Sequence, residues 1–142
     1  MDVTIRDARR EDAADVAGLL DQLGYPTHAA AVEGRLERLR IVGDRVVVAE
    51  LDGRVVGLAH LQVTPGIERD RPAGKLAALV VDEACRGRGI GRALVDAIEQ
   101  EARSRGCDIL FLTAAERRRD AHAFYVRVGL AESGRRFAKE LR

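Results

Sequence analysis

The run Arg86-Gly87-Arg88-Gly89-Ile90-Gly91-Arg92 places three glycines and three arginines within seven residues. Glycine has no Cβ, so the backbone there can turn through positive φ and come close to another molecule. The apolar stretch Leu76-Ala77-Ala78-Leu79-Val80-Val81 precedes the run, and Ile90, Leu94, Ile98 and Ala102 follow it at helical spacing. Strand, glycine-rich turn and helix start together make a cradle for a polyanion. The first N–H groups of a helix have no intrahelical acceptor, and the helix dipole adds about half a positive charge at that end.

Spacing excludes two phosphate loops. The dinucleotide pattern G-x-G-x-x-G fails in both registers, because Gly87-x-Gly89 is followed by Arg92 and Gly89-x-Gly91 by Leu94. No Gly-Lys-Ser/Thr occurs, so the Walker pattern is absent too. What remains is Arg-x-x-Gly-x-Gly, carried by Arg86, Gly89 and Gly91. Other chemistries find little support. The only serines are Ser104 and Ser133, and neither lies in a G-x-S-x-G elbow. Three dispersed histidines and the separated Cys85 and Cys107 offer no zinc spacing, so no metal is expected. Arg117-Arg118-Arg119 next to Asp120 reads as a solvated helix start, although it could also reach a ribose phosphate or an anionic acceptor.

The elements that must position the cradle follow from pattern. Residues 3–6 predict a first strand, and 12–23 a helix with Ala13, Val16, Ala17, Leu20 and Leu23 on one stripe. Gly24 suits its C-cap, and Thr27 after Pro26 the start of a second helix over 28–39. Strands over 45–51 and 54–64 flank Asp52-Gly53, a hairpin signal. A polar loop over 65–74, a strand over 75–82 and the helix after the cradle come next, closed by Gly106. Then follow a strand over 107–113, a helix over 119–128 and a last strand over 137–141. The order β-α-α-β-β-β-α-β-α-β predicts a single α/β domain, residues 1–142, with a mixed, largely antiparallel sheet and helices on both faces.

Composition agrees with one soluble globular domain. Folding 142 residues, 46% hydrophobic and 33% charged, should bury roughly two-thirds of the chain's surface. A net charge of +1, from 24 basic and 23 acidic side chains, argues against nucleic acid or a membrane surface as the main partner. No secretory signal or membrane-length apolar run is visible, and there is no Cys-x-x-Cys, so a cytoplasmic location with reduced thiols is expected.

Arg-x-x-Gly-x-Gly after a Val-Val-Asp strand end resembles the acetyl-CoA signature of the GNAT superfamily of N-acetyltransferases. The segment Ala121-His122-Ala123-Phe124-Tyr125-Val126-Arg127-Val128-Gly129-Leu130 resembles that superfamily's second signature. The ending Ser133-x-x-Arg136-Phe137-x-Lys139-x-Leu141 is similar to a branch with aminoalkylphosphonate and, more loosely, aminoglycoside acetyltransferases. The element order matches as well, so the resemblance covers nearly the whole chain. It implies acetyl-CoA as cosubstrate and a small-molecule or peptide amine as acceptor, acetylated by direct attack in a ternary complex. Leu79, Val80 and Val81 would pair with the pantetheine arm, as in strand addition. The N–H groups of Gly87, Arg88, Gly89, Ile90, Gly91 and Arg92 would hold the pyrophosphate, with charge from Arg86, Arg88 and Arg92. Tyr125 would be the general acid. A phenol, with ordinary pKa near 10, stays protonated when a thiolate of pKa about 8.5 departs. Packing with Phe124 is the alternative role for that ring. Tyr25 and His28 fall where relatives shape the acceptor pocket, and His122 reads as structural.

The chain departs from that pattern twice. Many relatives carry a Glu on the strand before the cradle, where this chain reads Lys75-Leu76-Ala77-Ala78. An Asn that often follows the next strand is replaced by Thr113-Ala114-Ala115. The proton route therefore needs another residue, or an acceptor that arrives neutral. His60 is the candidate base, because alternation places it with Leu58, Gln62 and Thr64 and an imidazole suits neutral pH. A hydrogen-bonded structural histidine is the other possibility. Two rival functions stay open, a non-catalytic acyl-CoA-binding or regulatory domain and an RNA- or nucleotide-binding module. A homodimer also stays open.

Overall fold

The computed structural model describes residues 2–113, 119–134 and 136–141. Strand β1 (Thr4–Asp7) leads through a 3-10 turn at Arg10–Asp12 into helices α1 (Ala13–Leu23) and α2 (Ala29–Ile41). Strands β2 (Arg45–Leu51), β3 (Arg54–Thr64) and β4 (Ala73–Val81) follow, then a 3-10 turn at Glu83–Cys85 and helix α3 (Ile90–Ser104). Strand β5 (Leu110–Phe111) and helix α4 (Arg119–Arg127) complete the order. The sheet runs β1-β2-β3-β4-β5, antiparallel except for the parallel β4–β5 pair.

Local chemistry sets the boundaries. Gly24 ends α1 in the left-handed region, φ 104°, and its N–H bonds to the Asp21 carbonyl at 3.0 Å. Asp52 (φ 52°) and Gly53 (φ 76°) both take positive φ, as a two-residue turn between twisted antiparallel strands requires. Strand alternation then builds two cores. Val47, Ala49, Ala59, Leu61 and Leu76 face α3, where Ile90, Leu94 and Ile98 are fully enclosed. Val48, Leu58 and Val80 face α1 and α2 through Val16, Leu19 and Val32. Each such aliphatic side chain contributes about 1.5–3 kcal/mol by leaving water. A Cβ on Gly57 would lie 2.9 Å from Leu94 Cδ1, so α3 rests directly on β3.

A charged cluster fixes the first strand. Arg6 donates to both Asp12 oxygens, at 2.8 and 2.9 Å, and lies 2.8 Å from Glu50. The Arg6 hydrogen bonds, helped by the Arg9 N–H, hold the Asp12 carboxyl below the usual carboxylate range despite its burial.

Two expected strands differ from what is observed. The strand expected over 107–113 is reduced to Leu110 and Phe111, because β4 offers ladder partners only at Gly74 and Lys75. Residues 137–141, expected as a last strand, carry no regular structure. Phe137 and Leu141 are almost fully exposed, and no ladder partner meets the segment among the described residues. Ala114 and Ala115, and Arg117 and Arg118 of the arginine run, lie outside the described residues.

Candidate active site

The short β4–β5 pairing opens the sheet. Beyond Lys75, no strand covers the outer edge of β4 over 76–81 among the described residues. A cleft of about 760 Å³ lies at this split, lined by Leu79, Val80 and Val81, by the cradle, and by Phe124 and Tyr125 of α4. Of the residues expected to hold a cofactor, Arg86, Gly87, Gly89, Ile90, Gly91 and Arg92 line the cleft with that strand, and Arg88 does not.

The cradle is braced from below. Asp82 N–H bonds to the Val56 carbonyl at 2.8 Å, and Asp82 Oδ1 accepts the Ala84 N–H at 3.2 Å. Gln22, at the end of α1, accepts the Glu83 N–H at 3.0 Å, which stitches the helix to the turn. Gly87 and Gly89 both sit at φ 81°, where a side chain is strained. Gly89 is the N-cap of α3 and supplies no side-chain acceptor; the first helical bond runs from Ala93 N–H to the Gly89 carbonyl at 3.1 Å. The N–H groups of Ile90, Gly91 and Arg92 are therefore left without an intrahelical acceptor at the cleft. Gly91 differs from its neighbours. It is helical, and a Cβ there would lie 3.0 Å from Phe124 Cζ.

Two arginines of the run also serve the backbone. Arg86 Nε donates to the Val81 carbonyl at 3.2 Å, holding the strand end, and Arg92 Nη2 donates to the Arg127 carbonyl at 3.2 Å, closing the last turn of α4. Their positive charge stays on the cleft wall.

Phe124 and Tyr125 part ways despite being adjacent. Phe124 packs into the α3-side core with Arg127 above its ring, 5.9 Å from the centroid. Tyr125 meets Phe124 edge-on, with centroids 5.8 Å apart and planes at 67°. It lines both the β4 cleft and a second groove of about 830 Å³ between β5 and α4, to which His122 also contributes. The tyrosine thus stands where the two cavities meet.

The other candidates lie outside the cleft. His60 is on the α1/α2 side of the sheet, in register with Val46 and Ala78. Its Nε2 is 2.9 Å from Asp44 Oδ2, with the side chains 14% and 12% exposed. Tyr25 is 65% exposed in the α1–α2 connection, and its N–H bonds to the Leu20 carbonyl at 2.8 Å. His28 is the exposed N-cap of α2. Neither lines the cleft, although Gln22 and Leu23 just before them do. Sequence reading missed Asp44 and Gln22. Asp44 meets His60 only through the β2–β3 register, and Gln22 meets the turn only through the path of α1, so neither carries a local signal. No group of metal-ligating side chains occurs among the described residues. Burial pushes the Cys107 thiol up, which makes it a poor nucleophile.

Known proteins resemble this chain in sequence and fold. The profile of the acetyltransferase (GNAT) family matches residues 15–130. An aminoalkylphosphonate N-acetyltransferase of Salmonella typhimurium is 32% identical over 139 residues, covering 96% of this chain and 90% of the relative. A glucosamine 6-phosphate N-acetyltransferase of Trypanosoma brucei brucei is 28% identical over 148 residues, covering 99% of each chain. A crystal structure of a Trypanosoma brucei acetyltransferase superposes with a TM-score of 0.84 at 28% identity, over 99% of this chain and all of the other.

Proposed function

The chain belongs to the GNAT acetyltransferase family and is an N-acetyltransferase, and we propose that it binds acetyl-CoA in the β4 cleft and acetylates a small primary amine. The observation that carries this reading is the joining, in one cleft, of a free strand edge, an uncapped helix N-terminus and a tyrosine. The residues fit the cosubstrate. Left-handed Gly87 and Gly89 with the α3 N–H groups suit a pyrophosphate, and the open edge at 79–81 suits an arm rich in amide groups.

The acceptor nitrogen attacks the thioester carbonyl directly, with both substrates bound. Its new C–N bond replaces the C–S bond, the thiolate takes a proton from the Tyr125 phenol, and the nitrogen gives up a proton. His60, held by Asp44 outside the cleft lining, would receive that proton through water on the α1/α2 side of β4. The chain has no carboxylate at 75–78 to do so. Tyr25 and His28 follow the cleft-lining Gln22 and Leu23 in the α1–α2 connection, so they would flank the outer end of a bound acceptor. The relatives' named acceptors, an aminoalkylphosphonate and a sugar-amine phosphate, support an amine that carries a phosphorus oxyanion.

The test is CoA thiol release across a panel of amines with wild type and His60→Ala. Release should require both acetyl-CoA and amine. An amine of pKa about 10.4 is only ~0.1% neutral near pH 7.4, so His60→Ala should lose most with strongly basic amines and little with weakly basic ones. Equal losses across the panel would remove His60 from the proton route.

A further inference from the structure

Lys75 stands at the closed end of the split. It is the last β4 residue paired with β5, opposite Phe111, and it marks where the uncovered edge begins. Leu76 packs toward α3, and a Cβ on Gly74 would meet Ala102 and Leu61 on that same side. Alternation therefore turns Lys75 to the α1/α2 side. Gln62 faces it directly across the β3–β4 ladder, and His60 lies two residues further along β3. Phe111, 38% exposed, flanks Lys75 on the other strand. The register shifts between His60 and Leu61, so Ala77 opposes neither residue and the ladder is interrupted between the lysine and the histidine.

Charge makes this lysine unusual. The chain has 24 basic side chains, of which only Lys75 and Lys139 are lysines. Several arginines of the chain are neutralised by carboxylates: Arg69 pairs with Asp108, and Arg45, on the opposite face of the sheet, with Asp7 and Glu101. Half-buried Lys75 has no ion-pair partner among the described residues. A cation on an inner strand, partly withdrawn from water and without a carboxylate, is costly unless an anion comes to it. From Lys75 to Ala78, beside His60, is three residues, or about 10 Å of strand. A lysine side chain and a small amine together span that distance.

We propose that Lys75, with the Gln62 amide beside it, recognises the phosphonate or phosphate group of the acceptor and so selects anionic amines over neutral ones. The inference rests on the acceptor reading above and extends it by naming the residues that discriminate. The anion sits at the closed end of the split, and the amine points along β4 toward His60 and the thioester.

Kinetics and equilibrium binding of Lys75→Gln and Lys75→Arg test it, with 2-aminoethylphosphonate against a neutral amine of similar size. Losing one charge-assisted contact should raise KM for the aminophosphonate about ten- to hundredfold. The kcat, the KM for acetyl-CoA and the KM for the neutral amine should not change, and Lys75→Arg should recover most of the loss. Calorimetric titration of the aminophosphonate into the CoA complex reads the same contact without turnover. Binding that depends on Lys75, without acetylation, would keep the anion site and refute the acceptor reading. Equal affinity in wild type and Lys75→Gln, or no binding to wild type, would overturn the proposal.

Discussion

The Phe124 ring lies against the first turn of α3, where a β-carbon on Gly91 would come within 3.0 Å of Cζ and 3.2 Å of Cε1. The packing of α4 and the shape of the cradle are thus one contact. Gly91→Val should force Phe124 out of its place, at a cost of about 1–3 kcal/mol. That corresponds to roughly a five- to hundredfold weaker CoA affinity by calorimetry if the strain falls on the bound cradle. Shortening the ring with Phe124→Leu in the same chain should restore part of it.

Gly89 should fail for a different reason. Nothing lies within 4 Å of its absent Cβ, but its φ of 81° is left-handed. Gly89→Ala should cost about 1–2 kcal/mol through backbone strain alone. Gly89→Asn should lose less, since asparagine visits that region more readily. Denaturant unfolding and CoA titration of both variants separate the two glycines. Equal losses for Ala and Asn at this position would contradict the assignment.

Tyr125 is expected to give its proton to the departing sulfur. Tyr125→Phe should lower kcat about ten- to a thousandfold while leaving CoA affinity unchanged, because the edge-on packing with Phe124 remains. The loss should shrink with acyl donors whose thiol is more acidic. Full turnover in the Phe variant would reduce Tyr125 to a packing role.

How far the sequence revealed this site depended on how local each feature was. The 45–51 and 54–64 strands were legible because Asp52-Gly53 dictates its own turn, and the cradle because its glycines have few other uses. Non-local features were not legible. A strand over 107–113 reads well by composition, yet β5 keeps only two residues because its partner's register ends at Lys75. The sequence suggests positive φ and close approach to a ligand as the reasons for both Gly89 and Gly91. Of these two, the structure gives positive φ to Gly89 alone and gives Gly91 a steric reason, set by Phe124 of α4. The partnership of His60 with Asp44 spans 16 residues and exists only once β2 and β3 have paired.

Acid stability should depend on Asp12. Arg6 depresses its carboxyl pKa in the folded state, so its contribution is fully present above the unfolded value, about 3.9, and disappears as pH falls through the lower folded value. Asp12→Asn should cost about 2–3 kcal/mol in urea unfolding near neutral pH. It should also flatten the decline below pH ~4. A variant that keeps the wild-type acid dependence would show that the pair does not set it.

Initial velocities measured while acetyl-CoA and an aminophosphonate are varied together test the central claim most directly. The proposed attack by an amine within a ternary complex predicts double-reciprocal lines that intersect, with one N-acetyl product for each CoA thiol released. Parallel lines would reveal a covalent acyl-enzyme and contradict direct attack. CoA binding without transfer to any amine would contradict the catalytic reading altogether.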